Sequence, residues 1–387
     1  MQRAITAQIE QAQRDILHRE IIALPDDDPR REAWTSVGRT SSCIVTAHPT
    51  WAFDAEPAEW REMFTTYLGV QSIACRDASV MYRRIPVAGD AVETCDPYGL
   101  TLSRATLPIA TYDAVHDEFQ HVIADMCRQA HLPVTEDPRH LFHSLFVDPA
   151  PLLQAQPPAI IPDLTVDVAL PPRLTRPPRG GDQDSGRVGA ALPARRLLFD
   201  IKTTFGGGGI YSCMWARVRQ SGAVEERAFR VDGEYTRHAR TLDLTYGQGG
   251  TPFAQRLATF GGVRGLAVGQ YAEVSADVES LIRECARAIA RSTWRQSGAR
   301  DEGAIRSIMT ALLRRRVGLT AARAMARHRL RRIPLVGVPR ATLDQWRAEG
   351  GARRHVGRQS RLLVGLEDVL AFQAAYRGPA GGLAAGA

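Results

Sequence analysis

Apolar residues recur along this chain at helical and at strand spacing, and the order of the two patterns predicts a sheet with helices on its faces. Residues 1–24 place Ile5, Ile9, Ala12 and Ile16 on one helical stripe, and an acidic turn at Pro25–Pro29 closes that segment. A further helix is expected over Glu56–Leu68. From Asp113 to Ala130, Val115, Phe119, Val122, Met126 and Ala130 recur at steps of three and four, the mark of a helix with one buried stripe. Pro133–Asp137 reads as a short strand. Ala159–Leu170 (AIIPDLTVDVAL) alternates and is rich in β-branched residues, a second strand, and Arg196–Thr204 (RLLFDIKTT) is a third. The run Gly206–Gly209 breaks that strand, and a helix follows from Ala223 to about Tyr246 on Val224, Ala228, Val231, Tyr235, Ala239 and Leu242. Val263–Tyr271 is a fourth strand. Ser275 is placed to cap a helix reaching Trp294, with Val278, Leu281, Ile282, Cys285 and Ile289 inward. Helix, three strands, helix, strand, helix is the order of an α/β fold, a mixed sheet flanked by helices with helical additions at both ends.

The stretch 171–194 is rich in proline, glycine and arginine and reads as a disordered insert, as does the tail 377–387. The expected division is an N-terminal, mostly helical region 1–105, a core 106–298 and an arginine-rich helical region 299–376. No apolar run approaches the roughly 18 residues of a membrane span. The first twenty residues carry Glu10, Asp15 and Glu20, unlike a signal or transit peptide. An intracellular protein is expected, nuclear if the source is eukaryotic. The six cysteines are scattered with no CxxC, which suits reduced, buried thiols; the alternative is a metal held by Cys95 and Cys127 with His140 and His143.

Charge sharpens the picture at one point. The net charge of +7 and pI near 9.3 favour a polyanionic partner. Of 49 basic residues one is lysine, Lys202, and the other 48 are arginine. A site that keeps lysine against such a bias needs a compact ammonium that a planar guanidinium does not imitate. Lys202 stands two residues after Asp200 in an apolar strand, so both project from one face. Charges embedded there are costly to desolvate unless something uses them. On the preceding strand Asp163 follows Pro162, and pairing of the two strands would bring Asp163 to Asp200 across the ladder. Two carboxylates and an ammonium are the parts of metal-assisted phosphodiester hydrolysis: the carboxylates hold a hard cation such as Mg²⁺, with Mn²⁺ a substitute, and the lysine orients water and offsets developing charge.

IIPDLTVDVAL and LLFDIKTT resemble the second and third core strands of PD-(D/E)xK, restriction-endonuclease-like nucleases. More narrowly, the chain is similar to the nuclease-like region after the reverse transcriptase in reading frames of some eukaryotic mobile elements. SCIVTAHPTWAFDAEPAEWREMFTTYLGV resembles the spacer before that nuclease, and TYDAVHDEFQHVIADMCRQAHLPVTED the helix and strand that open it. The resemblance implies a restriction-endonuclease-like core, with Asp163, Asp200 and the Ile201 carbonyl as metal ligands and Lys202 as catalytic lysine. It also implies a glutamate from the first helix, Glu118 or else Glu136, with Asp167 a fallback ligand. A departure is the zinc-knuckle-like cluster of related elements, of which only Cys95–Gly99 (CDPYG) remains. No polymerase precedes the region in this sequence, so a fragment or a free-standing descendant is expected.

No acidic residue lies between Glu302 and Asp344, while arginines abound. Two short helices are expected there, one on Ile305, Met309, Leu312 and Leu313 and another on Ala322, Met325, Ala326, Arg329 and Leu330. Arg314, Arg315, Arg316, Arg327, Arg329, Arg331 and Arg332 are the expected contacts to a nucleic-acid backbone, against the alternative of a solvated face. The Gly206–Gly209 run lacks the Gly-Lys-Ser/Thr of a phosphate-binding loop, and no GxSxG, HExxH or GxGxxG occurs. The expected partner is DNA, with RNA an alternative substrate, no membrane, and a dimer compatible with the sequence. A catalytically silent nucleic-acid-binding protein on the same fold is the competing expectation.

Overall fold

The structure is a computed structural model, and it describes residues 2–25, 28–36, 38–46, 55–77, 80–86, 92–105, 107, 113–145, 160–168, 195–205, 222–297, 300–339, 341–342 and 345. The expected insert 171–194, the Gly206–Gly209 run and the tail 377–387 lie outside these residues.

Helices α1 (Gln2–Ile22), α2 (Pro29–Ser36), α3 (Cys43–Thr46), α4 (Pro57–Leu68) and α5 (Leu100–Arg104) precede the sheet, with a small antiparallel hairpin of β1 (Arg84–Pro86) and β2 (Val92–Thr94). Then follow α6 (Asp113–Gln129), β3 (Val134–Glu136), α7 (His140–His143), β4 (Leu164–Val168), β5 (Arg195–Thr204), α8 (Gly222–Tyr246), α9 (Pro252–Thr259), β6 (Val263–Gly269), α10 (Ala276–Thr293) and α11 (Glu302–Leu330). The fold is mixed α/β. Its four-stranded sheet has the order β3-β4-β5-β6, antiparallel except for the parallel pair β5-β6. Among the described residues no helix is long and apolar enough to cross a membrane.

Strand alternation sorts the residues between the two faces. Leu197, Phe199 and Ile201 of β5 and Leu164, Val166 and Val168 of β4 join one core with α6, α10 and α11. The other face carries Leu198, which packs with Val231, Tyr235 and Ala239 of α8. Helix α8 comes close because Gly265 has no side chain: a Cβ there would stand 2.5 Å from the Ala228 backbone. Ser275 occupies the position before α10, but its hydroxyl is used on the sheet, accepting from the Ala267 N–H and donating to the Gly265 carbonyl, rather than capping the helix.

The C-terminal expectation needs correction. One helix of 29 residues replaces the two short ones. It packs on α3, α4, α5, α6 and α10, and its Leu313, Val317 and Leu319 share the core of the sheet. Cys43, Ile44 and Met63 from the N-terminal region lie in that same core, so neither flank is an appendage.

Candidate functional site

The register of β4 on β5 pairs Leu164 with Phe199, and one step further along it Asp163 falls opposite Asp200. Asp200 and Lys202 point to the α8 face, and the Lys202 ammonium forms an ion pair with Asp200 Oδ2. Asp163 Oδ2 accepts a 2.6 Å hydrogen bond from the Ile201 N–H, tying the end of β4 to the strand that carries the other two groups. The Asp200 carboxylate is nearly enclosed and Lys202 is the outward member, its side chain 25% exposed against 6% for Asp200.

Three residues not assigned from the sequence complete the cluster. The Tyr235 hydroxyl lies 2.9 Å from Asp200 Oδ1 and 2.9 Å from the Ile161 carbonyl, so that its single proton is within reach of both acceptors. From α6, His116 Nε2 lies 3.0 Å from Asp163 Oδ2, and Gln120 Nε2 donates to the Asp163 carbonyl at 3.0 Å. His116 and Gln120 are four residues apart on one helix face, which lets both reach Asp163. Tyr235 had been placed in the apolar stripe of α8. It does pack there, and its polar end still finds partners, as buried tyrosines do.

The electrostatics separate the two carboxylates. Burial pushes Asp200 up, and the negative charge of Asp163 adds to it; Lys202 and Tyr235 act against both, leaving it at about 6. Burial acts on Asp163 in the same direction, but the His116 hydrogen bond and charge, the Ile201 N–H and Lys202 outweigh it and hold this carboxyl below its ordinary value. Burial alone would lower His116, yet its hydrogen bonds to Asp117 and Asp163 bring it up to about 10, an imidazolium at neutral pH. Burial and the two aspartates raise Tyr235, so its hydroxyl keeps the proton it donates. Environments that push two neighbouring carboxyls apart are characteristic of acid–base chemistry.

A divalent cation suits the donors present. Among the described residues no group of three or more His, Cys, Asp and Glu is arranged to hold a metal. Mg²⁺, however, is commonly held by one or two carboxylates, with water and substrate oxygens completing its shell. Asp200 Oδ2 is buried and, beside its ion pair, receives no aligned hydrogen bond, which leaves it as an acceptor for a cation.

Other expected site residues lie elsewhere. Glu118, two residues from His116, points to another side of α6, where its Oε1 is 3.6 Å from Arg327. Glu136 pairs with Arg128 and lies 3.5 Å from His121; Asp167 is held by both ends of the Arg196 fork at 2.8 and 3.0 Å. The expected backbone-contacting arginines need the largest correction. Arg329 is buried on Glu62, Ser103 and Thr66, and buried Arg332 donates to the carbonyls of Leu102, Ser103 and Ala105. Arg314 pairs with Glu279, Arg316 with Asp125, and Arg327 with Glu59 and Glu118. Buried Arg329 and Arg332 are therefore spent inside the protein and not presented to a polyanion, whereas the Arg316–Asp125 pair lies at the surface, its side chains 38% and 41% exposed. Arg315 and Arg331 are half-buried. Cys95 and Cys127 sit in separate cores, Cys127 against Cys285 with its sulfur 3.9 Å away, which excludes a shared metal. The His140 and His143 side chains are outside the described residues.

No protein-family model matches the chain, and no curated protein or solved structure matches it.

Proposed function

We propose that the chain is a metal-dependent nuclease with a restriction-endonuclease-like core, acting on DNA at the cluster of Asp163, Asp200 and Lys202. The observation that carries this reading is the placement of the one lysine of the sequence beside two carboxylates from adjacent strands, in register across the ladder. Asp163 and Asp200, with the Ile201 carbonyl between Asp200 and Lys202, would hold Mg²⁺ or Mn²⁺. When bound, the cation supplies Lewis-acid polarisation of a phosphoryl oxygen and a more acidic water.

The protein's own groups do the rest. Tyr235 fixes the rotamer of Asp200, and His116 with the Ile201 N–H fixes Asp163, so both carboxylates are oriented before substrate arrives. Lys202, at the outer edge, places a positive charge where a scissile phosphate enters and offsets charge that grows on it. A lysine can also give up or take a proton, which arginine near neutral pH does not.

The test is relaxation of supercoiled plasmid with and without Mg²⁺, for the wild type and Lys202→Arg, with an RNA substrate in parallel. Wild type should nick only with the cation. Lys202→Arg should fold normally and lose about 4 kcal/mol of transition-state stabilisation, roughly a thousandfold in rate. A wild type that cuts no polynucleotide with Mg²⁺, or a Lys202→Arg variant that cuts at the wild-type rate, overturns the reading.

A further inference from the structure

The carboxylates of α8 are all engaged. Glu226 and Glu234 pair with Arg230 and Arg227 of the same helix. Glu225 accepts from the Ala276 N–H at 2.7 Å and Asp232 from the Val263 N–H at 3.1 Å. Buried Asp243 accepts from the N–H groups of Phe253 and Ala254 at 2.8 and 3.1 Å. Arg237 and Arg240 are left over: both are exposed, and among the described residues neither has a carboxylate partner. The bonds of Asp243 and Asp232 also lay α9 back along α8, which brings Arg256 level with Arg240. Arg256 donates to the Ser144 hydroxyl at 3.3 Å and, among the described residues, likewise meets no carboxylate. From Tyr235 to Ala272 the one acidic residue is Asp243. Like charges one turn apart weaken a helix slightly, so folding gains nothing from Arg237 and Arg240.

We propose that the exposed side of α8 and α9 holds the backbone of duplex DNA beside the scissile phosphate, through Arg237, Arg240 and Arg256. The proposal rests on the nuclease reading and names the surface its substrate uses. Arg237 and Arg240 stand two and five residues beyond Tyr235, within about 8 Å of it along the helix axis, and the Tyr235 hydroxyl is 2.9 Å from Asp200. Phe253 and Leu257 of α9 share a core with Tyr235 and with Leu198 of β5. Each strand of a duplex carries a charge about every 3.4 Å of axis, so a strand with one phosphate at Lys202 has others within reach of these guanidiniums. Exposed Gln248 and Thr251, in the turn between the helices, add uncharged groups of the kind that contact phosphate. Such contacts fix the position of the duplex and read no sequence.

The test uses the full chain and a fluorescent duplex, with binding followed by anisotropy in EDTA so that no strand is cut. Three phosphate contacts contribute about 2.7 to the slope of log affinity against log salt. Arg237→Gln/Arg240→Gln/Arg256→Gln should lose about that much slope and bind at least about tenfold more weakly at about 0.1 M salt. Glutamine suits a helix, so the variant should keep the wild-type unfolding midpoint. Arg14→Gln/Arg61→Gln/Arg300→Gln removes the same charge from exposed positions elsewhere and should leave affinity and slope unchanged. A triple variant with the wild-type slope, a control that loses as much, or a wild type that binds no duplex at low salt would each overturn the proposal. Nicking with Mg²⁺ is followed in parallel. Binding with the expected loss of slope but no nicking keeps this surface and removes the nuclease reading; nicking with no loss of slope removes this surface alone.

Discussion

Replacing Tyr235 by phenylalanine removes one hydroxyl from beside Asp200 and leaves the ring packed in α8. That hydroxyl is 2.9 Å from Asp200 Oδ1 and 2.9 Å from the Ile161 carbonyl. A phenol has one proton to donate, so the two acceptors share it, and an ionised carboxylate has the stronger claim. Asp200 is 4% exposed, so solvent does not readily supply a substitute donor. A hydrogen bond to a charged group contributes about 1.5–3 kcal/mol, most of it here to the ionised form. Each 1.36 kcal/mol lost from that form alone raises a pKa by about one unit, which moves Asp200 from about 6 up by about one to two units. The sign follows: a carboxyl raised above its ordinary 3.8 destabilises the fold once the pH passes that value, and the loss grows until the folded pKa is passed. Tyr235→Phe should therefore cost about 1.5–3 kcal/mol in urea unfolding at about pH 8 and little at about pH 4. Mn²⁺ binding, titrated against pH, should reach half-strength about one to two units higher than in the wild type. An equal penalty at both pH values, or an unmoved Mn²⁺ titration, would refute the assignment of this hydroxyl to the ionised carboxylate.

Arg329→Met should leave Glu62 charged and buried, lowering stability by about 3–5 kcal/mol in urea unfolding, with much of it recovered by adding Glu62→Gln. A loss under about 1 kcal/mol would mean that the pair is solvated. A histidine raised to about 10 by its carboxylate partners contributes stability that is full below its ordinary 6.5 and lost as the pH rises through 10. The unfolding temperature should fall across that window in the wild type and more weakly in His116→Asn; identical profiles would show that His116 is not held as an imidazolium.

The elements that were legible in the sequence are those whose periodicity is set by a single buried face. Val115, Phe119, Val122, Met126 and Ala130 are all buried, and β5 spans Arg195–Thr204 against the expected Arg196–Thr204. The meeting of Asp163 and Asp200 was legible as well, because strand pairing converts two short motifs into one register. His116 was hidden because its neighbour Val115 sets the apolar stripe, and a histidine beside such a stripe says nothing of a carboxylate 47 positions away. The arginines of α11 misled for a related reason. Whether a guanidinium meets water or a carboxylate depends on Glu59 and Glu62, more than 260 positions earlier, and no local pattern encodes that. The hairpin of β1 and β2 has strands of three residues, too short for alternation to register.

The path of α11 bears on what can be separated from what. Glu59 and Glu62 are buried on α4, and the cations that permit this, Arg327 and Arg329, come from the far end of the chain. A piece cut near residue 300 would keep every residue of the candidate site and still be left with uncompensated negative charge in its interior. The strands that carry the carboxylates and the helix that lies behind them therefore form one heritable unit: each must travel with the other through any fusion, truncation or recombination that leaves the sheet able to fold.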